Sequence, residues 1–399
     1  MIELLKKLNN YCLYLLVLSI TFENWDPFNF GGTLSVTFMA SVLYILSWLP
    51  KLKELSLSLF KKFGIPLLLF IITGFISTAF NSIYLDEMKE AYHYRVLLLI
   101  ILMFLIANHY YNDQTILPKT LLLYVLSILV MFLLYKLGIG VEYISNRPRI
   151  FGENPNIMGM KALIAFLIVL SNMLETNFSL KKILFGSLIM IPLLSLVIAS
   201  GSRGAFLSVF IGLALFVVFM RISIGKKIVL GLFGIVGSIS FFLFVLANNV
   251  DFQRRLLDSV ETGDIGRNLA WVGAQKVIEN NPIIGVGFPA ALPEMYQEIG
   301  IAMDPHNVFL YVAMTTGLVG FCFFMIFIWR IAKILFLSYK KNGKIVYLVI
   351  FFIIVLNMAK AGGGISMILF YFFFAALIGS TFLLSDHEEI EHTVKLKKN

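Results

Sequence analysis

Charged residues are scarce in this chain, and their scarcity excludes an ordinary soluble protein. Asp, Glu, Lys and Arg make up 14% of the 399 residues, 59% are hydrophobic, and the mean hydropathy is +0.89. Soluble domains carry about 25% charged and roughly 45–50% apolar residues. Cysteine is almost absent too, and both cysteines, Cys12 and Cys322, fall in apolar runs. This argues against a disulfide scaffold and against redox chemistry.

Long apolar runs recur along the whole chain and leave no room for a soluble domain. A helix needs about 20 apolar residues to cross a bilayer. The sequence therefore predicts an all-α integral membrane protein, a single polytopic transmembrane domain over residues 1–399 with about 12 transmembrane helices. The first span is expected to be a retained anchor, because no small-residue cleavage site follows it. The predicted spans are 9–23, 33–50, 65–82, 94–110, 117–138, 157–174, 183–200, 205–221, 227–247, 307–330, 344–360 and 364–384.

Lysine and arginine are unevenly divided between the two sides of this predicted bundle. With an even number of spans both termini lie on one side, and most of the 32 Lys and Arg residues fall there. Because basic residues concentrate in cytoplasmic loops, both termini are predicted to be cytoplasmic. The net charge of +9 then mostly faces anionic lipid, and no basic block with interleaved aromatic residues suggests nucleic acid.

The basic residues predicted on the outer side are mostly arginines. A guanidinium makes bidentate contacts with phosphate or carboxylate, whereas a lysine ammonium is a mobile point charge. Arginines placed against the topological bias are therefore candidates for binding an anion. These arginines are Arg95, Arg147, Arg149, Arg203, Arg254, Arg255 and Arg267.

Three predicted helices begin on the outer side beside a cationic or titratable residue. Asn154 is predicted to cap a helix that opens with Pro155, and Arg203 lies at the next outward start. Asp304 is the expected cap of a third, with His306 at its second helical position. Helix N-termini carry partial positive charge and bind anions, so a phosphate would fit if packing brought them together. The alternative is that these side chains only finish helices at the membrane interface.

The longest outer segment, residues 248–305, precedes the tenth predicted span. Residues 267–279 within it fit a short amphipathic helix that ends at Asn280. A loop this long among tight connections indicates a function. Arg267 is a candidate for the same anion site, whereas Arg254 and Arg255 fit a solvated or headgroup-facing pair better.

Four motifs in this order resemble the O-antigen ligase and polymerase family of bacterial envelope glycosyltransferases, and the ligases most closely. They are an RxRxFGENPN loop, an SRGA turn, a GR…W…NPIIGVG segment and an HN pair opening a helix. The ligase pattern is His, then Asn, Ser or Gln, nine residues, Gly, two residues, then Gly, Thr or Tyr. Here His306-Asn307 is followed by Gly317 and Gly320 at that spacing. The motifs cover roughly residues 145–160, 199–206 and 266–320.

This resemblance implies a membrane glycosyltransferase of the bacterial inner membrane, with 248–305 as a periplasmic loop. It would transfer O-antigen polysaccharide from undecaprenyl diphosphate to a sugar hydroxyl of the lipid A core, in lipopolysaccharide biosynthesis. His306 matches the family's essential histidine. Arg203 and Arg267 match positions expected to hold the diphosphate.

Other residues are less firmly assigned by the same resemblance. Either Arg147 or Arg149 is a further candidate for the diphosphate. Asn156 and Asn307 are additional candidates within the motifs. Lys161 lies inside the sixth span, where a charge indicates a function or a buried partner. Whether it faces the diphosphate or reaches the interface stays open.

The chemistry of the candidate residues suits such a transfer. Histidine, with an ordinary pKa near 6.5, accepts a proton at neutral pH, so His306 is the expected general base. A diphosphate leaves without a proton, and arginines and helix ends can neutralise it as a metal would elsewhere. No DxD pair lies in an outer loop, and His387 and His392 lie in the tail without a ligand set, so neither metal nor cofactor is expected. Direct displacement predicts inversion at the anomeric carbon.

Three alternatives use the same residues differently. A polymerase of O-antigen or another surface polysaccharide would use the same donor. A protein that only holds the lipid diphosphate would need no general base. A secondary transporter also often has about 12 helices, but it is expected to show paired broken helices, repeat symmetry and ionisable groups near the bilayer midplane.

Overall fold

Helices make up most of the computed structural model, which describes residues 2–30, 34–81, 93–175, 179–250, 252–254, 257, 265–360 and 365–382. These residues also include one β-hairpin, with β1 at Val141–Ile144 and β2 at Arg147–Ile150. The helices are α1 Ile2–Ser19, α2 Val36–Trp48, α3 Leu57–Phe80, α4 His93–Asn112, α5 Ile116–Leu137, α6 Pro155–Leu174, α7 Leu180–Ala199, α8 Arg203–Phe219, α9 Ile224–Asn248, α10 Ile265–Asn280, α11 Ala291–Ile299, α12 Val308–Asn342, α13 Val346–Met358 and α14 Ile368–Ser380.

The predicted all-α membrane architecture is confirmed, but the number of spans is not. Among the described residues, seven helices are long and apolar enough to cross a bilayer, and α8, α13 and α14 are apolar but shorter. The 13 residues of α14 would cover about 20 Å, less than the roughly 30 Å of a bilayer core. The count of about 12 spans therefore stays a prediction.

The centre of the bundle lies around α6 and α14. Every residue of α14 is buried, as expected for a helix that is apolar all round. Within the span formed by α6, 83% of the residues are buried, whereas α9 has only 6% buried. Helix α9 therefore lies at the periphery, with most of its surface available to lipid.

Lys161 is paired inside the bundle. Its side chain is fully buried on α6, and its Nζ donates to Glu153 Oε2 at 2.5 Å and to the carbonyl oxygen of Ile20 at 3.0 Å. The carboxylate of Glu23 lies 3.6 Å away. The sequence left open whether Lys161 faces the diphosphate or reaches the interface; in the structure its ammonium lies against the carboxylates of Glu153 and Glu23 and joins α6 to the end of α1. A buried ammonium is tolerated because carboxylates and carbonyls solvate it.

The segment between α5 and α6, interpreted from the sequence as a loop, contains the β-hairpin. Ile144 and Arg147 face each other across a two-residue turn, in which Ser145 and Asn146 have φ of 49° and 60°. Positive φ at both positions gives a turn whose twist matches that of the strands. Ser-Asn is a weaker hairpin signal than Asn-Gly, which explains why the sequence pattern missed it.

The tenth predicted span is a broken helix. Helix α12 runs through to Asn342, but Gly317 has φ of 61° and ψ of −168°, which interrupts it. Residues 282–287 lie against this break. The N–H of Leu318 donates to the Pro282 carbonyl at 2.8 Å, and Gly287 N–H donates to the Thr315 carbonyl at 2.8 Å. Backbone groups freed by the break are thereby satisfied, as a membrane interior requires.

The docked segment also fixes the end of the long outer loop. Gly285 and Gly287 have φ of 72° and 86°, which glycine adopts readily. A Cβ on Gly285 would lie 2.5 Å from the backbone N of Gly317, so the two chains meet at glycines. Helix α10 ends at Asn280, as predicted, and packs with α11 and α12. Helix α11 was not predicted.

Replacing Lys161 with Met should lower the free energy of unfolding by about 3–5 kcal/mol, because it leaves the buried Glu153 carboxylate without its ammonium. Unfolding followed by circular dichroism in detergent measures this change. The double variant Lys161→Met/Glu153→Gln should recover part of the loss. Lys181→Met, at an exposed position on α7, is the control and should change stability by about 0.5 kcal/mol or less. Equal effects of Lys161→Met and the control would refute a stabilising role for the pair.

Replacing Gly317 with Ala should destabilise the protein by about 2–5 kcal/mol. The new Cβ would lie 2.3 Å from the carbonyl of Ile283, and the residue would keep a positive φ. Gly234→Ala is the matched control, since no heavy atom lies within 4 Å of a Cβ placed there. Thermal unfolding of both variants in one detergent compares them. A Gly317→Ala protein as stable as Gly234→Ala would show that the break is not required.

Candidate functional site

A cavity of about 520 Å³ combines positive charge with an apolar wall. We call it the α8 cavity, because the first two turns of α8 form one side. Arg203, Arg267 and Lys360 provide its charge. Its other lining residues are Gly204, Phe206, Leu207, Phe210, Ser238, Ile239, Phe242 and Phe252. The cavity thus offers three cations beside four phenylalanine rings.

The start of α8 positions Arg203. Ser202 is the N-cap, and its Oγ accepts from the N–H of Ala205 at 3.3 Å. Arg203 is therefore the first helical residue, where backbone N–H groups lack helical partners and the helix dipole adds partial positive charge. The predicted helix start at Arg203 is confirmed, and its outward orientation stays a prediction.

Arg267 reaches the same cavity from the first turn of α10, 64 positions further along the chain. The sequence made Arg203 and Arg267 candidates for one anion site, and both line the α8 cavity. Their role in holding a diphosphate stays a prediction.

Lys360 is a cavity residue that the sequence interpretation missed. It follows α13, which packs against α8, and its Cδ would lie 3.7 Å from a Cβ on Gly204. The predicted span 344–360 ends at this residue, so it was treated as the end of a helix. The available signal was the same one that singled out the arginines, a cation at the end of a span that the sequence predicts to face the outer side.

A second cavity, of about 670 Å³, lies beside the β-hairpin, and we call it the hairpin cavity. Arg147, Arg149 and Arg254 line it. The other lining residues are Ile144, Ser145, Asn146, Asn154, Pro155 and Asn156. Arg254 is exposed, as predicted, and Arg255 lies outside the described residues. The structure therefore divides the candidate arginines between two cavities.

Hydrogen bonds to fixed groups hold the two hairpin arginines. Arg147 Nε donates to the Ser200 carbonyl at 2.7 Å, and its Nη2 donates to Asn156 Oδ1 at 2.6 Å. Arg149 Nε donates to the Gly152 carbonyl at 2.7 Å. The predicted cap at Asn154 is confirmed, since its Oδ1 accepts from the N–H of Asn156 at 2.9 Å.

The two cavities are neighbours. Ser200, which holds Arg147, lies in the turn that leads to Arg203. On the other side, Phe252 lines the α8 cavity and Arg254, two residues later, lines the hairpin cavity. The two cavities are therefore adjacent along two separate parts of the chain.

His306 lies immediately before α12, in a conformation that the sequence did not predict. Asn307 is the N-cap, and its Oδ1 accepts from the N–H groups of Phe309 at 3.0 Å and Leu310 at 3.3 Å. The predicted cap at Asp304, with His306 inside the helix, is therefore wrong. Because Asn307 has an extended backbone and caps the helix, α12 begins at Val308. His306 therefore lies outside the helix.

The backbone of His306 is strained, with φ of 50°, which is uncommon for a residue other than glycine. Asp304 Oδ1 accepts from the His306 N–H at 2.6 Å and lies 3.7 Å from Nδ1. The second distance is too long for a hydrogen bond, but it is short enough for the carboxylate to stabilise an imidazolium. Half of the imidazole is exposed, at 45% of its side-chain surface.

Helix packing relates His306 to the arginines. Helix α12, which His306 precedes, packs against α10, which carries Arg267, and residues 282–287 join the two helices through backbone bonds. His306 is not a lining residue of the α8 cavity. The backbone bonds at the break in α12 therefore fix the helix that follows His306 relative to the helix that carries Arg267.

No cluster of three or more His, Cys, Asp or Glu side chains fit to hold a metal ion occurs within the described ranges. His387 and His392 lie outside those ranges. That no metal takes part stays a prediction. Cys12 and Cys322 are both free, and Cys322 is exposed on α12.

Residues 185–325 match the family model described as O-antigen ligase. A search of curated proteins finds no match. The matched range begins within α7 and includes Arg203, Arg267, His306 and the break at Gly317, while the hairpin and Lys360 lie outside it. This match confirms the resemblance seen in the motifs: residues 185–325, the segment that carries Arg203, Arg267 and His306, are similar to the O-antigen ligase family.

Proposed function

We propose that this protein is a glycosyltransferase that moves O-antigen polysaccharide from undecaprenyl diphosphate to a sugar hydroxyl of the lipid A core. Transfer takes place at the periplasmic face of the bacterial inner membrane. The α8 cavity carries this proposal, because it joins three cations to an apolar wall within a segment that matches the O-antigen ligase family.

The two parts of the cavity suit the two parts of a lipid diphosphate. Arg203, Arg267 and Lys360 can neutralise the diphosphate, and the N-terminus of α8 adds backbone donors. The phenylalanine rings suit the first isoprene units. Ile239 and Phe242 belong to α9, the helix with the least buried surface, so the rest of the lipid chain can remain in the bilayer.

His306 is the proposed general base. The acceptor hydroxyl gives its proton to the imidazole while its oxygen attacks the anomeric carbon of the donor sugar. The bond between that carbon and the diphosphate oxygen breaks, and the electron pair leaves on undecaprenyl diphosphate. Asp304, 3.7 Å from Nδ1, stabilises the imidazolium that forms. A single displacement inverts the configuration.

The cations of the α8 cavity stabilise the leaving group, since charge grows on the diphosphate as the bond breaks. Fixed guanidinium groups supply that stabilisation without reorganising. Neither a metal nor another cofactor is needed in this scheme. Lys360 is added to the two arginines here as a third ligand of the diphosphate.

The orientation in the membrane is part of the proposal. Arg203 begins α8, and Arg221, just beyond its other end, donates to the Tyr339 carbonyl at 2.8 Å near the basic end of α12. Because basic residues concentrate in cytoplasmic loops, this second end is placed in the cytoplasm together with both termini. The α8 cavity then opens toward the periplasm.

A polysaccharide polymerase is the second candidate, because a polymerase would take the same lipid-linked donor into the α8 cavity. Only the acceptor differs, a carrier-linked repeat in place of the lipid A core. A secondary transporter is less well supported, since the candidate cations gather at one end of the bundle and the buried Lys161 is already paired.

Purified protein in nanodiscs should transfer glycan from undecaprenyl diphosphate to lipid A core, and His306→Asn should lower kcat by about 10²–10⁴-fold. Asparagine tolerates the positive φ of this position, so the substitution removes the base with little backbone strain. Product formation is followed by gel and mass spectrometry.

Lys226→Gln, at an exposed position on α9, is the control and should keep wild-type activity. Arg203→Gln and Lys360→Gln should each raise KM for the donor and lower kcat, because both remove charge from the leaving-group site. A His306→Asn protein that transfers glycan at the wild-type rate would refute the general-base role. Absence of any transfer by the folded wild type would refute the proposed function.

Deletion of the gene in its host should distinguish ligase from polymerase. A ligase mutant should lack all polymer on the lipid A core, whereas a polymerase mutant should retain a single attached repeat. Silver-stained lipopolysaccharide gels show the difference. A ladder of attached polymer unchanged by the deletion would contradict both assignments.

A further inference from the structure

We propose that the hairpin cavity binds an anionic group, a phosphate or a carboxylate, on the sugar part of one of the two substrates. The inference rests on the proposed function, because it places this group beside the transfer site. It assigns to Arg149, Arg254 and Arg147 the selection of a charged glycan, separate from the lipid diphosphate.

Positive charge and amides dominate this cavity. Three arginines line it together with Asn146, Asn154 and Asn156. Guanidinium groups bind phosphate or carboxylate in pairs of parallel hydrogen bonds, and amides suit neighbouring sugar hydroxyls. Glu142 lies opposite Arg149 in the ladder, but it is exposed and does not line the cavity.

The hairpin presents its arginines in fixed positions. Arg149 Nε donates to the Gly152 carbonyl. This bond uses Nε and not the two terminal nitrogens of the guanidinium group. Arg147 is held by Ser200 and Asn156. Because the side chains are already ordered, little entropy is lost when an anion binds, which favours binding.

The surroundings favour a sugar over the carrier's own diphosphate. That diphosphate remains joined to a long hydrocarbon chain, so its site needs an adjacent apolar path. The α8 cavity has four phenylalanine rings for this purpose, whereas Ile144 and Pro155 are the apolar residues that line the hairpin cavity. A hydrophilic anion fits the hairpin cavity better.

The position of the cavity assigns the anion to a sugar near the reacting bond. Arg147, which lines the hairpin cavity, donates to the carbonyl of Ser200, and Ser200 lies three residues before Arg203 of the α8 cavity. A group bound at the hairpin while the diphosphate occupies the α8 cavity belongs to the first sugars of the donor or to the acceptor sugars. Both sources present the same chemistry, and the experiment below distinguishes them.

The test compares charged and neutral substrates with the Arg149→Gln/Arg254→Gln variant in nanodiscs. Arg147 is left intact, because its bond to Ser200 supports the turn before α8. The donor carries either a carboxylated or a neutral repeat, and the acceptor is either phosphorylated or dephosphorylated lipid A core. Lys226→Gln again serves as the exposed control, and thermal unfolding verifies that each variant is folded.

The double variant should raise KM for the anionic form of one substrate by about 10–100-fold, as expected when charged contacts to a bound anion are lost. The neutral form of that substrate should change less than about 3-fold. The substrate that shows the charge dependence identifies the source of the anion. Raising the salt concentration should weaken wild-type binding of the anionic form in the same direction.

Binding without transfer provides an independent readout. Calorimetry measures the free core oligosaccharide, phosphorylated or dephosphorylated, and the free repeat, carboxylated or neutral. One anionic form should bind wild type about 10-fold or more tightly than its neutral counterpart, and the double variant should lose the difference. If neither anionic form is preferred, the inference is overturned, while continued transfer that depends on His306 would leave the proposed function standing. If the preference exists but transfer does not, only the proposed function fails.

Discussion

A charge in the apolar interior of this protein must have a partner, and much of the architecture follows from that requirement. Lys161 satisfies it with Glu153, Glu23 and the carbonyl oxygens at the end of α1, so one buried ammonium joins the first helix to the central one. An unpaired charge there would cost several kcal/mol. The cations of the α8 cavity, Arg203, Arg267 and Lys360, lie instead at or just beyond the ends of helices.

The same requirement applies to backbone groups at the break in α12. Interrupting a helix at membrane depth frees carbonyl and N–H groups, which must find partners within the protein. Residues 282–287 supply these partners by lying along the break, and glycine at positions 285 and 317 permits the close approach. The loop that follows α10 is thereby fixed to the helix that follows His306. One backbone constraint thus relates a cavity arginine to the proposed base.

The candidate arginines line two cavities of different character, and each cavity suits a different part of the proposed substrates. The α8 cavity places cations against aromatic rings, which suits a ligand that is charged at one end and apolar at the other. The hairpin cavity places cations among amides, which suits a charged sugar. The turn before α8 holds Arg147 through Ser200 and leads to Arg203, so it links the two cavities.

Local patterns predicted some of these features and missed others. Asn154 followed by Pro155 is a strong start signal, and it was correctly interpreted because the cap depends on neighbours in sequence. Asp304 followed by Pro305 is a similar signal, but the cap predicted there is wrong. Asn307 has the extended backbone and caps the helix instead. The break at Gly317 was missed because the segment that satisfies its backbone groups, residues 282–287, lies about 30 positions earlier in the chain.

Composition and order along the chain determined by themselves that this is a helical membrane protein with arginines at one end, because apolar length and charge placement are local properties. The residue pattern around His306 that resembles the family was also visible in the sequence. Only the tertiary structure decided that Arg203, Arg267 and Lys360 share a cavity, that Arg147 and Arg149 belong to another, and that Lys161 is paired rather than available. The physical reason is that these groups are distant in sequence and meet only through helix packing.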